Sequence, residues 1–228
     1  MKKVKTMFVS IIIPVLNEEA FIKQLLQQLQ GYRKQGHEVI VVDGGSIDHT
    51  VLISSELSDK VIKSEAGRAV QMNNGASQSK NAVLWFLHAD TLIPEKAVEN
   101  IQAALNKSDW GRFNIKLSGT NGLFRLIEFM MNMRSYFTGI ATGDQGIFVK
   151  RKSFESVGRY SNLPLMEDIN LSKKLIQISK PACIKNTLIT SSRRWEEKGI
   201  LSTVFLMWRL RFLYWLGVSA NKLATRYK

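Results

Sequence analysis

Short apolar runs of strand length alternate along this chain with longer stretches in which apolar residues recur every three or four positions. Phe8 to Ile13 predicts a strand that stops at Pro14, because proline donates no ladder hydrogen bond. Asn17, Glu18 and Glu19 then open a helix carrying Phe21, Ile22, Leu25, Leu26 and Leu29 on one face and ending near Gly31. His37 to Val42 predicts a second strand, broken by Asp43, Gly44, Gly45 and Ser46, with a helix beginning around Asp48 and Thr50. The alternation continues with a short strand at Lys60 to Lys63 and a helix over Arg68 to Ser79. A strand at Leu84 to Leu87, apolar enough to be buried on both faces, comes next. A helix from Glu95 to Asn106 and a strand around Trp110 to Leu117 complete this half. Strands alternating with helices specify a parallel sheet with right-handed crossovers.

The second half reads less regularly. A helix is expected over residues 122 to 138, a strand over 147 to 151, and a helix behind Glu167 and Asp168, with Ile169, Leu171 and Leu175 on its apolar face. From Ile200 to Val218 the chain is mostly apolar and approaches a membrane-spanning length. Arg209 and Arg211 fall mid-segment, each costing about 2.5–3.5 kcal/mol at a bilayer centre. The segment is therefore expected to lie at a membrane surface, or to pack against its own domain or a second copy. Met1 to Lys5 is basic, but the apolar run after it contains Pro14 and reads as a first strand rather than an export signal.

Four parallel strands place their carboxyl ends on one rim, where open α/β sheets bind ligands. That rim collects Pro14 to Glu18, Asp43 to Ser46, Arg68 and His88 to Asp90. Asp90 could hold a divalent cation or cap the next helix. Asp43 could accept from a base or ribose or form its own turn, and Arg68 could meet phosphate or stand solvated at a helix start. Neither GxGxxG after the first strand nor GxxxxGK[ST] occurs, so neither a dinucleotide fold of the usual kind nor a P-loop is supported. A net charge of +13 asks for an acidic partner. Its basic residues are scattered and thicken only at Arg193, Arg194, Arg209, Arg211, Lys222, Arg226 and Lys228, which favours phosphate or a membrane surface over nucleic acid. The single Cys183 excludes an internal disulfide framework and fits a reducing cytoplasm.

In order, VSIIIPVLNEE, VIVVDGGSIDHT, GRAVQMNNGA and VLWFLHADT resemble the successive motifs of the family 2 glycosyltransferases, most closely the short bacterial selenium-domain-associated or arsenosugar-type members. The resemblance implies a GT-A (nucleotide-diphospho-sugar transferase) fold: a mostly parallel sheet flanked by helices, with a donor half over about 1–118 and an acceptor and catalytic half over about 119–198. Residues 199–228 would add an amphipathic basic helix. It implies inverting transfer from a nucleotide sugar, a UDP-sugar first among the donors, with Mn²⁺ or Mg²⁺. Pro14, Val15, Asn17, Glu18, Asp43 and Gly44 would surround base and ribose, with Arg68 nearby.

Asp90 would be the last acid of the metal motif, in which His88 replaces the first acid and Ala89 lies between; His88 is then expected to shape the loop or bond the diphosphate. Gly143, Asp144, Gln145 and Gly146 would shape the acceptor pocket. Of the pair Glu167 and Asp168, Asp168 would be the catalytic base. Arg193 and Arg194 would reach the diphosphate and Trp195 would stack on an acceptor, although the glutamine that usually opens this RW motif is absent. Met130, Met131 and Met133 could line a groove for an apolar acceptor. Acceptor and oligomeric state stay open. Two rivals are a nucleotidyltransferase, against which the acidic Pro14 to Glu19 speaks, and a non-catalytic membrane- or nucleic-acid-binding protein.

Overall fold

The computed structural model describes residues 7–227; the basic start Met1 to Lys5 and Lys228 lie outside them. In β1 (Val9–Val15), side-chain alternation sends Val9, Ile11, Ile13 and Val15 to one face of the sheet and Ile12 to the other, and both faces are dry. The first face is covered by α1 (Glu19–Lys34) and α4 (Ala97–Leu105) through Ile22, Leu25, Val98 and Ile101. The second is covered by α3 (Arg68–Gln78), α6 (Arg151–Ser156) and α7 (Glu167–Ile176) through Met72, Phe154, Leu171 and Leu175. Gly75 lets α3 lie close, since a Cβ there would sit 2.5 Å from Ile12 Cγ2.

The remaining strands are β2 (Glu38–Asp43), β3 (Lys60–Lys63), β4 (Val83–Phe86), β5 (Trp110–Leu117), β6 (Phe148–Lys150) and β7 (Ala182–Thr190). They stand in the order β3-β2-β1-β4-β6-β5-β7, and only β6 runs against the others. The expected mostly parallel α/β sheet is therefore present. The helices α2 (Thr50–Leu57), α5 (Gly122–Thr138), α8 (Arg193–Lys198), α9 (Ile200–Trp215) and α10 (Ala220–Tyr227) complete the chain.

Several boundaries differ from expectation. β1 continues through Pro14 to Val15, in register with Val42 and Asp43 of β2. Ile12 accepts from Leu87 N–H, so Pro14, two residues on, faces the same side, past the end of β4, where no ladder bond is lost. α1 passes Gly31 to Lys34, α4 begins at Ala97 rather than Glu95, and β6 yields to α6 at Arg151. The single C-terminal helix is instead two, separated at Gly217 with φ +89°. Both pack on the domain: Leu210 and Leu223 bury against Leu165, Met166 and Ile169. Among the described residues, no helix is long and apolar enough to cross a membrane.

Candidate active site

The rim formed by the carboxyl ends of β1, β2 and β4 is tied together from within. Gln71, buried on α3, donates from Nε2 to the carbonyls of Val15 (2.9 Å) and Val42 (2.8 Å), while its Oε1 accepts from Gly67 N–H (3.2 Å). Asp43 is buried and uses its carboxylate on the N–H groups of Gly45 and Ser46, an Asx-type turn. Asn17, at φ +55°, accepts from Ile47 N–H and so pins the neighbouring loop. Asp43, Gly44 and Asn17 thus shape the rim without lining its cavity.

That cavity, of about 480 Å³, is lined by Pro14, Val15, Glu18, Arg68, His88, Ala89, Asp90, Arg193 and Arg194. The motifs separated along the sequence converge here. Tyr227 on α10 and Leu165 also line it, which the sequence did not reveal. The Arg194 guanidinium stacks on the Tyr227 ring at 3.6 Å and donates to the Tyr227 carbonyl at 2.8 Å; Arg193 lies over Phe21 at 4.8 Å. Asp90 faces the cavity and does not cap α4, which starts at Ala97. Burial lifts the Asp90 carboxyl above its ordinary value, with His88 opposing. Burial and then the charge of Asp90 lift Glu18, whose Oε2 is buried without a hydrogen-bond partner among the described residues.

His88 Nδ1 stands 3.3 Å from Asp144 Oδ1. Burial disfavours the imidazolium, yet the bond to Asp144 leaves His88 above its ordinary 6.5. Burial also opposes charge on Asp144, but the bond to His88 and the charges of His88, Arg68 and Arg194 hold it below 3.8. Each partner thus favours the charged form of the other, and His88 clamps onto the glycine segment through Asp144. Gly143 is needed there, because a Cβ would lie 2.6 Å from His88 Nε2.

Behind this clamp a chamber of about 90 Å³ is lined by Arg68, Gly143, Asp144, Glu167 and Asp168. The Asp168 carboxylate is aimed by two backbone donors, Gly143 N–H to Oδ2 (2.8 Å) and Ile169 N–H to Oδ1 (2.7 Å). Burial raises Asp168 above its ordinary value and these two bonds pull against it. Glu167, 6% exposed, is pushed up to about 7 by burial and by the charge of Asp168, with Arg68 opposing. Gln145 and Gly146 do not reach the chamber. Gln145 is fully buried and closes the turn through Thr142, and Gly146 accepts from Trp85 Nε1.

Glu167 carries a pH signature. Its folded value lies above the unfolded 4.5, so the protonated form is the one the fold favours, and stability falls as pH rises through about 7. Glu167→Gln is neutral at every pH. Its thermal midpoint is expected to exceed that of the wild type above pH 7 and to match it below pH 4.5. A variant that is less stable than wild type on the alkaline side contradicts this electrostatic picture.

A third cavity of about 320 Å³ runs between α5 and α9, with Met130, Met131, Val204, Met207 and Trp208 along it. Trp195 lines this groove rather than the rim cavity, so α8 directs Arg193 and Arg194 to one side and Trp195 to the other. Arg134, Arg211 and Asp144 are its charged members. The three cavities adjoin: the rim cavity and the chamber share Arg68, Leu165 and Tyr227, and the chamber and the groove share Thr142, Asp144, Met207 and Arg211.

A family model described as "Glycosyl transferase family 2" matches residues 10–158, more than half of the chain. The beta-monoglucosyldiacylglycerol synthase of Synechocystis sp. is 24% identical over 230 residues, covering 89% of this chain but 46% of that relative. The chain thus spans less than half of that relative's length. A structure of S. aureus TarS 1-349 in complex with UDP-GlcNAc superposes with a TM-score of 0.65 at 20% identity, over 81% of this chain and 58% of that one. The mannosyltransferase PcManGT from Pyrobaculum calidifontis, in complex with GDP-Man and Mn²⁺, superposes with a TM-score of 0.63 at 17% identity, over 91% and 61%. This chain has the GT-A fold of those structures and belongs to glycosyl transferase family 2.

Proposed function

We propose that this protein transfers a sugar, with inversion, from a nucleoside diphosphate donor in the rim cavity to an acceptor hydroxyl presented from the groove. The observation that carries this reading is the row of adjoining cavities with Asp168 in the chamber between them. Asp168 would take the proton from the acceptor hydroxyl as that oxygen bonds to the anomeric carbon. The bond from that carbon to the diphosphate oxygen breaks, and its electron pair leaves with the nucleoside diphosphate. Arg68, shared by cavity and chamber, would neutralise the departing charge, with Arg193 and Arg194 also lining the cavity. Asp168 is preferred to Glu167 as base, because the Gly143 and Ile169 N–H groups fix its carboxylate in the chamber.

A UDP-sugar is the donor first proposed, since TarS is seen with UDP-GlcNAc; PcManGT, seen with GDP-Man, keeps a second base open. The residues also fit a hard divalent cation. Glu18 presents an orphaned oxygen, and Glu18 and Asp90 both resist ionisation in the cavity they share. Asp90 would hold Mn²⁺ or Mg²⁺, with phosphate and water completing the shell of so hard a cation. Bound there, the ion would supply positive charge opposite the diphosphate.

The motif string further supports a place among the short selenium-domain-associated or arsenosugar-type members. It also supports a donor half over about 1–118, an acceptor half over 119–198 and an appendage from 199. Exposed Phe205, Trp208, Phe212 and Trp215 on α9, beside Phe129, Tyr136 and Phe137 on α5, support peripheral membrane contact from the cytoplasmic side or pairing with a second copy. Inversion is tested by NMR of the first-formed product from an α-linked donor: a β product is expected, and an α product contradicts the single displacement.

A further inference from the structure

Two atoms of Arg134, Nε and Nη2, are buried in the wall of the apolar groove with no hydrogen-bond partner among the described residues. Buried N–H groups left without an acceptor are costly, and an anion brought to this half-buried guanidinium from the groove would offset that cost. The other charges around it form no hydrogen bond to it: Asp168, the acid that acts on it most strongly, accepts instead from the Gly143 and Ile169 N–H groups. Asp144 is engaged by His88, Arg211 adds a second positive group to the same wall, and Arg112 bonds the Asn132 carbonyl on the same helix. Below Arg134 the lining is apolar, from Met130, Met131, Val204, Met207, Trp208 and Trp195.

From this juxtaposition, and resting on the transferase reading above, we infer that the groove is an acceptor subsite for an amphipathic anion, its apolar chain among the methionines and tryptophans and its anionic group on Arg134. The soft methionine surface accepts chains of varied shape, while the planar guanidinium fixes the head group. The groove shares Asp144 and Thr142 with the chamber of Asp168, so a hydroxyl close to the anionic group can reach the base.

Calorimetric titration of the full chain with dodecyl phosphate, inorganic phosphate and neutral dodecyl maltoside, all below micelle formation, tests this. Dodecyl phosphate is expected to bind at least about tenfold more tightly than either other probe, as a charged hydrogen bond added to apolar burial should give. Arg134→Gln should reduce it to the level of the maltoside, and Arg134→Lys should restore part of the preference. Equal binding of the maltoside, undiminished binding of inorganic phosphate alone, or an unchanged preference in Arg134→Gln overturns the proposal. Donor protection against thermal unfolding is measured on the same samples. Its retention in Arg134→Gln shows an intact fold and donor site. Its absence in the wild type, with the groove preference kept, overturns the acceptor role while pointing to failure of the transferase reading rather than of the groove.

Discussion

Asp168→Asn is expected to slow sugar transfer by about 10²- to 10⁴-fold, the usual contribution of a positioned general base. The amide keeps the size of the side chain and one carbonyl oxygen. It removes the lone pair that accepts the proton and turns an NH₂ toward either Gly143 N–H or Ile169 N–H. One backbone donor then loses its acceptor, so a loss of about 1–3 kcal/mol in stability accompanies the change. The rim cavity does not include Asp168, and nucleotide-sugar binding should survive. Steady-state kinetics therefore separate the effects: kcat falls and the donor KM holds. A variant with near wild-type kcat excludes Asp168 as the base.

Arg68→Met is the second large effect. Arg68 begins α3, lines both the rim cavity and the chamber, and is the opposite charge facing Glu167, Asp144 and Asp168, a setting that raises its own affinity for the proton. Methionine keeps the apolar stem and removes the charge. Loss of one preorganised group facing developing negative charge costs roughly 10²- to 10³-fold in rate. The same substitution removes the group that opposes proton binding at Glu167, so Glu167 should titrate above about 7, visible as an upward displacement of its NMR titration. A rate loss without that displacement would place Arg68 outside the chamber it lines.

The first half of this molecule was legible because its strands are buried on both faces and so read as unbroken apolar runs ending in polar rim residues. Pro14, Glu18, Arg68 and Asp90 converge as expected from strand ends alone. The second half was less legible for physical reasons. β7 carries exposed Lys185, Asn186 and Thr187 at its middle, where the register against β5 shifts at Phe113/Asn114, so neither alternation nor a continuous run marks it. Arg134 lies within an apolar helix, and nothing local distinguishes a guanidinium turned into a groove from one in solvent. Tyr227 reaches the rim cavity only because Gly217 turns the chain back, and the pairing of His88 with Asp144 joins segments that meet only in the folded sheet. Asp43 and Gln145 were legible as polar residues at turns, and their hydrogen bonds close those turns.

The central claim, that the rim cavity holds a nucleotide sugar through a cation at Asp90, is tested most directly by thermal unfolding with UDP-, GDP- and dTDP-sugars, each with and without Mn²⁺, on the wild type and on Asp90→Ala. A ligand that binds only the native state raises its stability by about 2.7 kcal/mol at a concentration 100 times its Kd. A rise in Tm with one donor base that requires Mn²⁺ and disappears in Asp90→Ala is the predicted result. No rise with any nucleotide sugar, or an undiminished metal-dependent rise in Asp90→Ala, would contradict it.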